Sequence, residues 1–410
     1  MTLSQARSTP DTAHATASVI PPAAIIALSF GSFGSGMSMR TTDAMLVRLA
    51  ADFDVTLGTA ALAITVFGVA YGVSQLLFGP LGDRYGKYLV IAWGSLACAI
   101  TALACGLVPN FSSLLVARAL AGATCASIIP LSMAWIGDVV TYEDRQSVLA
   151  RFLIGQILGL SSGIVLGGIA ADYLNWRAPF FLIATSFFMT GIYLIRMNQR
   201  LPEQAKQLHK AEGGAVVRLI GEFRKVVEVP WARKVLATVM IEGALVYGAL
   251  AFIPSHLHQV HGMSLAAAGS LVMLFGFGGF VFALRSRQMI KRFGEVGLIR
   301  HGAVMMALPM VVVAYAPVWW LAVPACLLFG LGFYMMHNTL QINATQMAPQ
   351  RRGAAVAAFA SCFFLGQAAG VALGGALLAP VGTAHIIATA GVGVLLIGRR
   401  FARLRAAKED

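Results

Sequence analysis

Charge is what this sequence has least of. Charged residues make up 11% of its 410 positions, where a soluble chain carries about a quarter. A fold stable in water is therefore excluded. The period-two alternation of a membrane barrel is missing too. No G-x-x-x-x-G-K-S/T loop occurs, so nucleotide hydrolysis is not expected as the driving force. The apolar runs hold neither a nucleophile beside its base nor clustered metal ligands, so no enzyme activity is expected. Five cysteines (98, 105, 125, 326 and 362) lie in apolar segments without metal-ligand spacing and read as packing residues. Residues 1–20 are polar and read as a disordered cytoplasmic N-terminus without a cleaved signal peptide.

Long apolar runs are what the sequence does have. Twelve are expected, at 22–47, 58–80, 88–108, 112–135, 149–172, 178–197, 235–257, 265–285, 297–315, 318–341, 354–378 and 382–398. Each is long enough to cross a bilayer as a helix. The fold class is thus an all-α membrane protein. Twelve transmembrane helices would form two six-helix bundles, 21–197 and 235–398, with a linker at 198–234 and a basic tail at 399–410. In the linker, apolar residues at helical spacing from Ala215 to Val227 suggest a helix lying on the membrane surface. A solvated linker is the alternative.

The net charge of +13 is distributed as a membrane protein requires, not as nucleic-acid binding would. Of the 30 Lys and Arg, nine lie between Arg196 and Lys234, five between Arg285 and Arg300, and five between Arg399 and Lys408. With both termini inside, only Arg40, Arg48, Arg118 and Arg177 fall within helices or outside. The location implied is a bacterial inner membrane, whose anionic lipids suit a basic inner face.

The halves repeat. Shifted by 208 residues, Thr56 falls on Ser264, Gly86 on Gly294 and Gly122 on Gly330. GPLGDRYGK falls on RQMIKRFGE, with Asp83 replaced by Lys291. GQILG at 155–159 matches GQAAG at 366–370 at a slightly larger offset. Two related six-helix bundles with a substrate path between them are a common transporter plan.

These stretches resemble the major facilitator superfamily of transporters over nearly the whole chain. Its loop motif between the second and third helices is matched by Gly79, Leu81, Asp83, Arg84, Gly86 and Lys87. LLVARALAG, with Arg118 and Gly122, resembles the fourth-helix pattern, and NWRAPF the turn before the sixth helix in bacterial drug and sugar efflux members. GIVLGG resembles the antiporter motif of the fifth helix, with Ile164 where that motif has proline. The resemblance implies that Asp83 is held near Arg351 and Arg352 at the start of the eleventh helix. Arg84 would meet Asp138 or Glu143. These contacts would clasp the halves on the cytoplasmic side while the outside is open. A plain solvated turn is the alternative reading of this loop.

Ionisable residues at membrane depth are functional candidates. Glu242 lies near the middle of the seventh run, as a proton carrier, a ligand for a cationic group, or an acid bonded to a neighbouring helix. Arg40 and Asp43 share a helical face and can pair; an exposed Arg40 would instead attract an anion. Arg118 would tune a nearby acid, by resemblance, or anchor an anion through its forked donors. Tyr247, Tyr334, His337, Asn338 and Gln341 are cavity candidates, with interhelical hydrogen bonding as the plainer reading. His256, His258 and His261 have no carboxylate or cysteine nearby, so no metal site is expected. Gly155, Gly159, Gly163 and Gly167, and likewise Gly366, Gly370 and Gly374, recur every four residues. They would let helices pack closely, with Gly31–Gly36 as a partner surface.

The function expected is proton-coupled export of small amphipathic molecules by alternating access, driven by the proton gradient without a cofactor. Expected partners are the substrate, protons and the bilayer, with no nucleic acid, and the chain would act as a monomer. Proton-coupled uptake of a small organic anion is the alternative, favoured by Arg40, Arg118 and Ile164. A sensor without net transport is a third.

Overall fold

The computed structural model describes residues 21–206 and 215–409; the expected disordered segment 1–20 lies outside them. Among the described residues every regular element is helical. That is the expected result for continuous apolar runs, because only a helix satisfies its backbone bonds within one segment inside a bilayer. Ten helical segments among the described residues are long and apolar enough to cross a membrane, and two of these, of 51 and 58 residues, each join two spans across a glycine. Gly294 (φ 60°) and Gly382 (φ 79°) adopt positive φ, which glycine takes at little cost. Divided there, the segments are consistent with twelve spans.

The spans are α1 (Pro22–Arg40), α2 (Leu62–Tyr85), α3 (Lys87–Leu107), α4 (Phe111–Cys125, continued by Ile128–Val139), α5 (Tyr142–Tyr173) and α6 (Ala178–Arg200). After a linker helix (Ala215–Glu228) come α7 (Pro230–Leu250, continued by Ile253–His261), α8 (265–293), α9 (295–315), α10 (Ala322–Gln346), α11 (352–381) and α12 (383–409). The linker helix covers the stretch where helical spacing was seen. The last helix continues through the basic segment that starts at Arg399.

Three runs are less regular than their apolarity suggests. The first is not one helix to residue 47: α1 ends at Arg40, and a 3-10 turn (Asp43–Met45) and a short helix (Leu46–Asp52) follow. The breaks in α4 and α7 fall four and two residues before Pro130 and Pro254. A proline lacks the N–H and crowds the carbonyl four residues back.

The repeat survives in the local geometry. Thr56 Oγ1 accepts from Thr59 N at 3.1 Å, and Ser264 Oγ accepts from Ala267 N at 3.2 Å, capping equivalent helix starts. Gly86 (φ 90°) and Gly294 (φ 60°) both take positive φ at the equivalent bend. A Cβ at Gly122 would strike the backbone of Phe67, and one at Gly330 that of Phe275.

The glycine stripes hold each half together. Gly155, Gly159, Gly163 and Gly167 of α5 lie against the backbone of Ser29, Phe33, Met37 and Thr41 on and beside α1. Thr41 Oγ1 donates to the Gly163 carbonyl at 3.1 Å. In the second half Gly366 and Gly370 of α11 meet Met240 and Ala244 of α7, and Gly374 meets the Phe252 ring. The pairing of GQILG with GQAAG puts Gly155 and Gly159 on Gly366 and Gly370, and in each half these glycines lie against the backbone of one neighbouring helix, α1 in the first and α7 in the second.

Two seams join the halves, α2 against α11 and α5 against α8. Both are closed at the face away from the linker. There a Cβ at Gly58 would strike Gly375, and one at Gly168 would strike Leu265. The Asp172 carboxylate at the end of α5 accepts from Ala266 N at 2.7 Å, at the first turn of α8. Deeper in, Gln75 Nε2 donates to Ser361 Oγ at 3.1 Å.

Candidate functional site

Two ionised or ionisable pairs lie between the halves and in the second half. The first is built by the break after α1. Arg40 Nη1 lies 2.7 Å from Asp43 Oδ2, and both side chains are at most 2% exposed. The guanidinium carbon sits 4.5 Å from the ring centroid of Tyr247 on α7. Arg40, Ser161, Tyr247 and Tyr334 line a cavity of about 20 Å³ with apolar side chains of α5 and α8. That is room for about one water. The expected pair therefore forms, and the alternative of an exposed Arg40 does not. Pairing together with a π face is what a buried guanidinium needs at this depth.

The second pair was not legible as a pair. Glu242 on α7 is fully buried, and its Oε2 lies 2.8 Å from His337 Nδ1 on α10. Its other oxygen, Oε1, has no hydrogen-bond partner among the described residues. The imidazole is packed among Phe333, Phe363 and Phe359, at centroid distances of 4.8, 4.6 and 5.5 Å. Tyr247 touches Phe333 and Phe363 edge-on, at 5.6 and 5.3 Å, so the aromatic cluster reaches back to Arg40. An acid and an imidazole at this distance can share one proton, with the acid fully buried and the imidazole 17% exposed.

Arg118 of α4 is fully buried, but no carboxylate holds it. Nε donates to the Ala63 carbonyl at 3.2 Å, and Nη1 donates to the Ser38 carbonyl at 2.8 Å. Nη2 donates to Thr42 Oγ1 at 3.5 Å, and Phe67 presents its ring face 4.2 Å from the guanidinium carbon. Arg118 thus ties α4 to α1 and α2. Each of its three nitrogens bonds the protein and the side chain is fully buried, which favours a tie between helices over an anion anchor.

The remaining candidates divide. Asn338 is half-buried and Gln341 is exposed, and neither joins the Glu242 pair. His256 bonds Thr383 Oγ1 at 2.9 Å and the Val313 carbonyl at 3.1 Å, while His258 bonds the Met263 carbonyl at 2.6 Å. In the α2–α3 loop, Lys87 is the hub: Nζ lies 3.2 Å from Asp83 and 2.7 Å from Asp138. Lys87, not Arg84, meets Asp138; Arg84 lies over the Tyr85 ring at 5.1 Å. Asp83 is not brought to Arg351 or Arg352. Arg351 pairs with Glu222 of the linker helix at 2.7 Å. The expected clasp belongs to the arrangement open on the other side, and the seams here are closed on that side. The side chain of Glu143 lies outside the described residues. Sequence reasoning missed the contacts that cross the seams, Gln75–Ser361 and Asp172–Ala266. Polar residues in apolar runs were the available signal.

This architecture matches known proteins. The family model described as Major Facilitator Superfamily matches residues 28–371. The chain belongs to the Major Facilitator Superfamily. This superfamily member is a multi-pass membrane transporter, not an enzyme. It is 26% identical over 368 residues to a Bacillus subtilis protein named uncharacterized MFS-type transporter YwfA, covering 90% of this chain and 87% of that one. It is 29% identical over 157 residues to the Escherichia coli multidrug export protein EmrB, covering 38% of this chain and 31% of EmrB. A solved structure of the peptide transporter POT with sulfate has the same fold, with a TM-score of 0.75 at 17% identity, covering 94% of this chain and 95% of that one.

Proposed function

We propose that this superfamily member exports small amphipathic molecules in exchange for protons, with the linker face in the cytoplasm of a bacterial cell and both termini there. The observation that carries the reading is the buried Glu242–His337 pair inside an aromatic cluster. A carboxyl at membrane depth is costly unless it has such a partner or a task. The aromatic rings suit flat apolar portions of a substrate. The partial likeness to EmrB, named a multidrug exporter, supports the direction. Uptake of an organic anion has less support, because Asp43 engages Arg40 and backbone carbonyls engage Arg118. In the other half of the cycle Asp83 would reach Arg351 and Arg352, as in the clasp described above.

The test is substrate-driven proton flux into liposomes with a pH dye inside, across cationic, neutral and anionic amphiphiles. Wild type should move protons with one class. Glu242→Gln should abolish that signal while the protein still elutes as a folded species. Substrate movement without protons in both proteins would refute the coupling.

A further inference from the structure

The linker-face end of α12 divides its basic residues between two faces. Arg405 Nε lies 2.9 Å from Glu295 at the start of α9. Lys408 Nζ lies 4.6 Å from the centroid of the Trp231 ring. These two face the protein and are engaged by it. Arg399, Arg400 and Arg403 lie on the other face and are exposed. Among the described residues no carboxylate pairs with any of the three. They surround a surface cavity of about 390 Å³ with Leu396 and Leu404. Three guanidiniums within about a turn of helix repel one another, so an anion placed among them is favoured.

The same face continues into the membrane. Val392 and Leu396 are 51% and 60% exposed, about two turns and one turn before the arginines. An apolar stripe followed by an arginine cluster has the polarity of a phospholipid, acyl chain first and headgroup second. A soluble anion would have no use for the stripe. A dissolved phosphate would satisfy the arginines alone.

We propose that Arg399, Arg400 and Arg403 bind the phosphodiester headgroup of one anionic phospholipid in the leaflet at the linker face, with its acyl chain along Val392 and Leu396. Guanidiniums engage phosphate oxygens in pairs, which a lysine cluster would not do as well. Arg405 and Lys408 fix the helix end against α9 and α7, so the site is held by the second bundle alone. The bound lipid would move with that bundle through the transport cycle.

The experiment uses the full chain purified in detergent, with native mass spectrometry counting bound lipid. Phosphatidylglycerol should bind, and phosphatidylcholine at least tenfold more weakly. Removing all three charges (Arg399→Gln, Arg400→Gln and Arg403→Gln together) should weaken phosphatidylglycerol binding about a hundredfold. Removing three other exposed charges (Arg285→Gln, Arg287→Gln and Lys291→Gln) should change it less than threefold. Millimolar inorganic phosphate should leave the lipid bound. Equal losses in the two triple variants would overturn the proposal in favour of diffuse surface charge. Equal binding of both lipids, or full displacement by inorganic phosphate, would overturn it as well. Arg403→Gln alone, which keeps two guanidiniums, should cost about fivefold and covers a triple variant that fails to fold.

Discussion

The two halves place the same backbone contacts beneath different chemistry. Gly122 against Phe67 and Gly330 against Phe275 are equivalent packings 208 residues apart, as are the helix caps at Thr56 and Ser264. The charges do not repeat. Arg118 has the uncharged, buried Cys326 as its counterpart, and Arg40 lies over the ring of Tyr247 in the other half. The first half supplies the two buried guanidiniums, and the second supplies the ring beside Arg40, the aromatic cluster around it and the Glu242–His337 pair. Close backbone approach tolerates no side chain, so it must be kept in both halves. A central site needs each chemical group only once, so the halves are free to differ there.

The strongest way to break the comparison is to fill the shared contact. Gly122→Leu and Gly330→Leu should each prevent a folded, monodisperse species in detergent, because the new side chain meets backbone rather than a movable side chain. The expected cost is at or above the top of the roughly 1–3 kcal/mol range for overpacking. Gly79→Leu, with nothing within 4 Å of a new Cβ, should leave the thermal transition in place. A folded Gly330→Leu protein beside an unfolded Gly122→Leu would show that the halves are not equivalent in packing.

Next in size is the buried Arg40–Asp43 pair of the first half. Arg40→Gln alone strands the Asp43 carboxylate and should cost about 3–5 kcal/mol. Adding Asp43→Asn should recover much of that loss, since neither charge then remains unpaired. Tyr247→Phe keeps the ring face and should change stability by less than about 0.5 kcal/mol. Thermal unfolding of the three variants checks the set. Additive losses in the double variant would mean that the two side chains act separately.

Much of this comparison was legible in the sequence. Apolar length, charge asymmetry and glycine spacing are local or periodic signals, and they pointed to the spans, the repeat and close packing of α1 with α5, while the partner of the α11 glycines, α7, was not named by them. Arg40 and Asp43 were readable as a pair because they are three residues apart in sequence, a spacing that the turn after α1 preserves. Glu242 and His337 are 95 residues apart, and helix periodicity says nothing about which helices meet. Arg118 was harder still, because its partners are carbonyls, and every residue has one. The Asp83 loop was read correctly for composition but not for its partner. Which basic residue it faces depends on the side of the membrane that is closed, and a sequence carries both arrangements at once.

That dependence gives the smallest and last prediction. The Lys87 hub sits in the first half, and the equivalent of Asp83 in the second is Lys291, so the second half cannot build it. Asp83 and Asp138 are 46% and 53% exposed, so Lys87→Gln should lower stability by less than about 1 kcal/mol. The population of the two arrangements should respond more visibly. Without Lys87, Asp83 is free to meet Arg351 or Arg352 across the seam, which favours closure at the linker face. A change of about 1 kcal/mol is about fivefold in such an equilibrium. Spin labels at Ser147 and Arg287, on α5 and α8 at that face, should report a larger short-distance fraction in Lys87→Gln than in wild type. Lys291→Gln should leave the distribution unchanged. An unchanged distribution in Lys87→Gln would mean that Asp83 has no second partner and that the loop is only a turn.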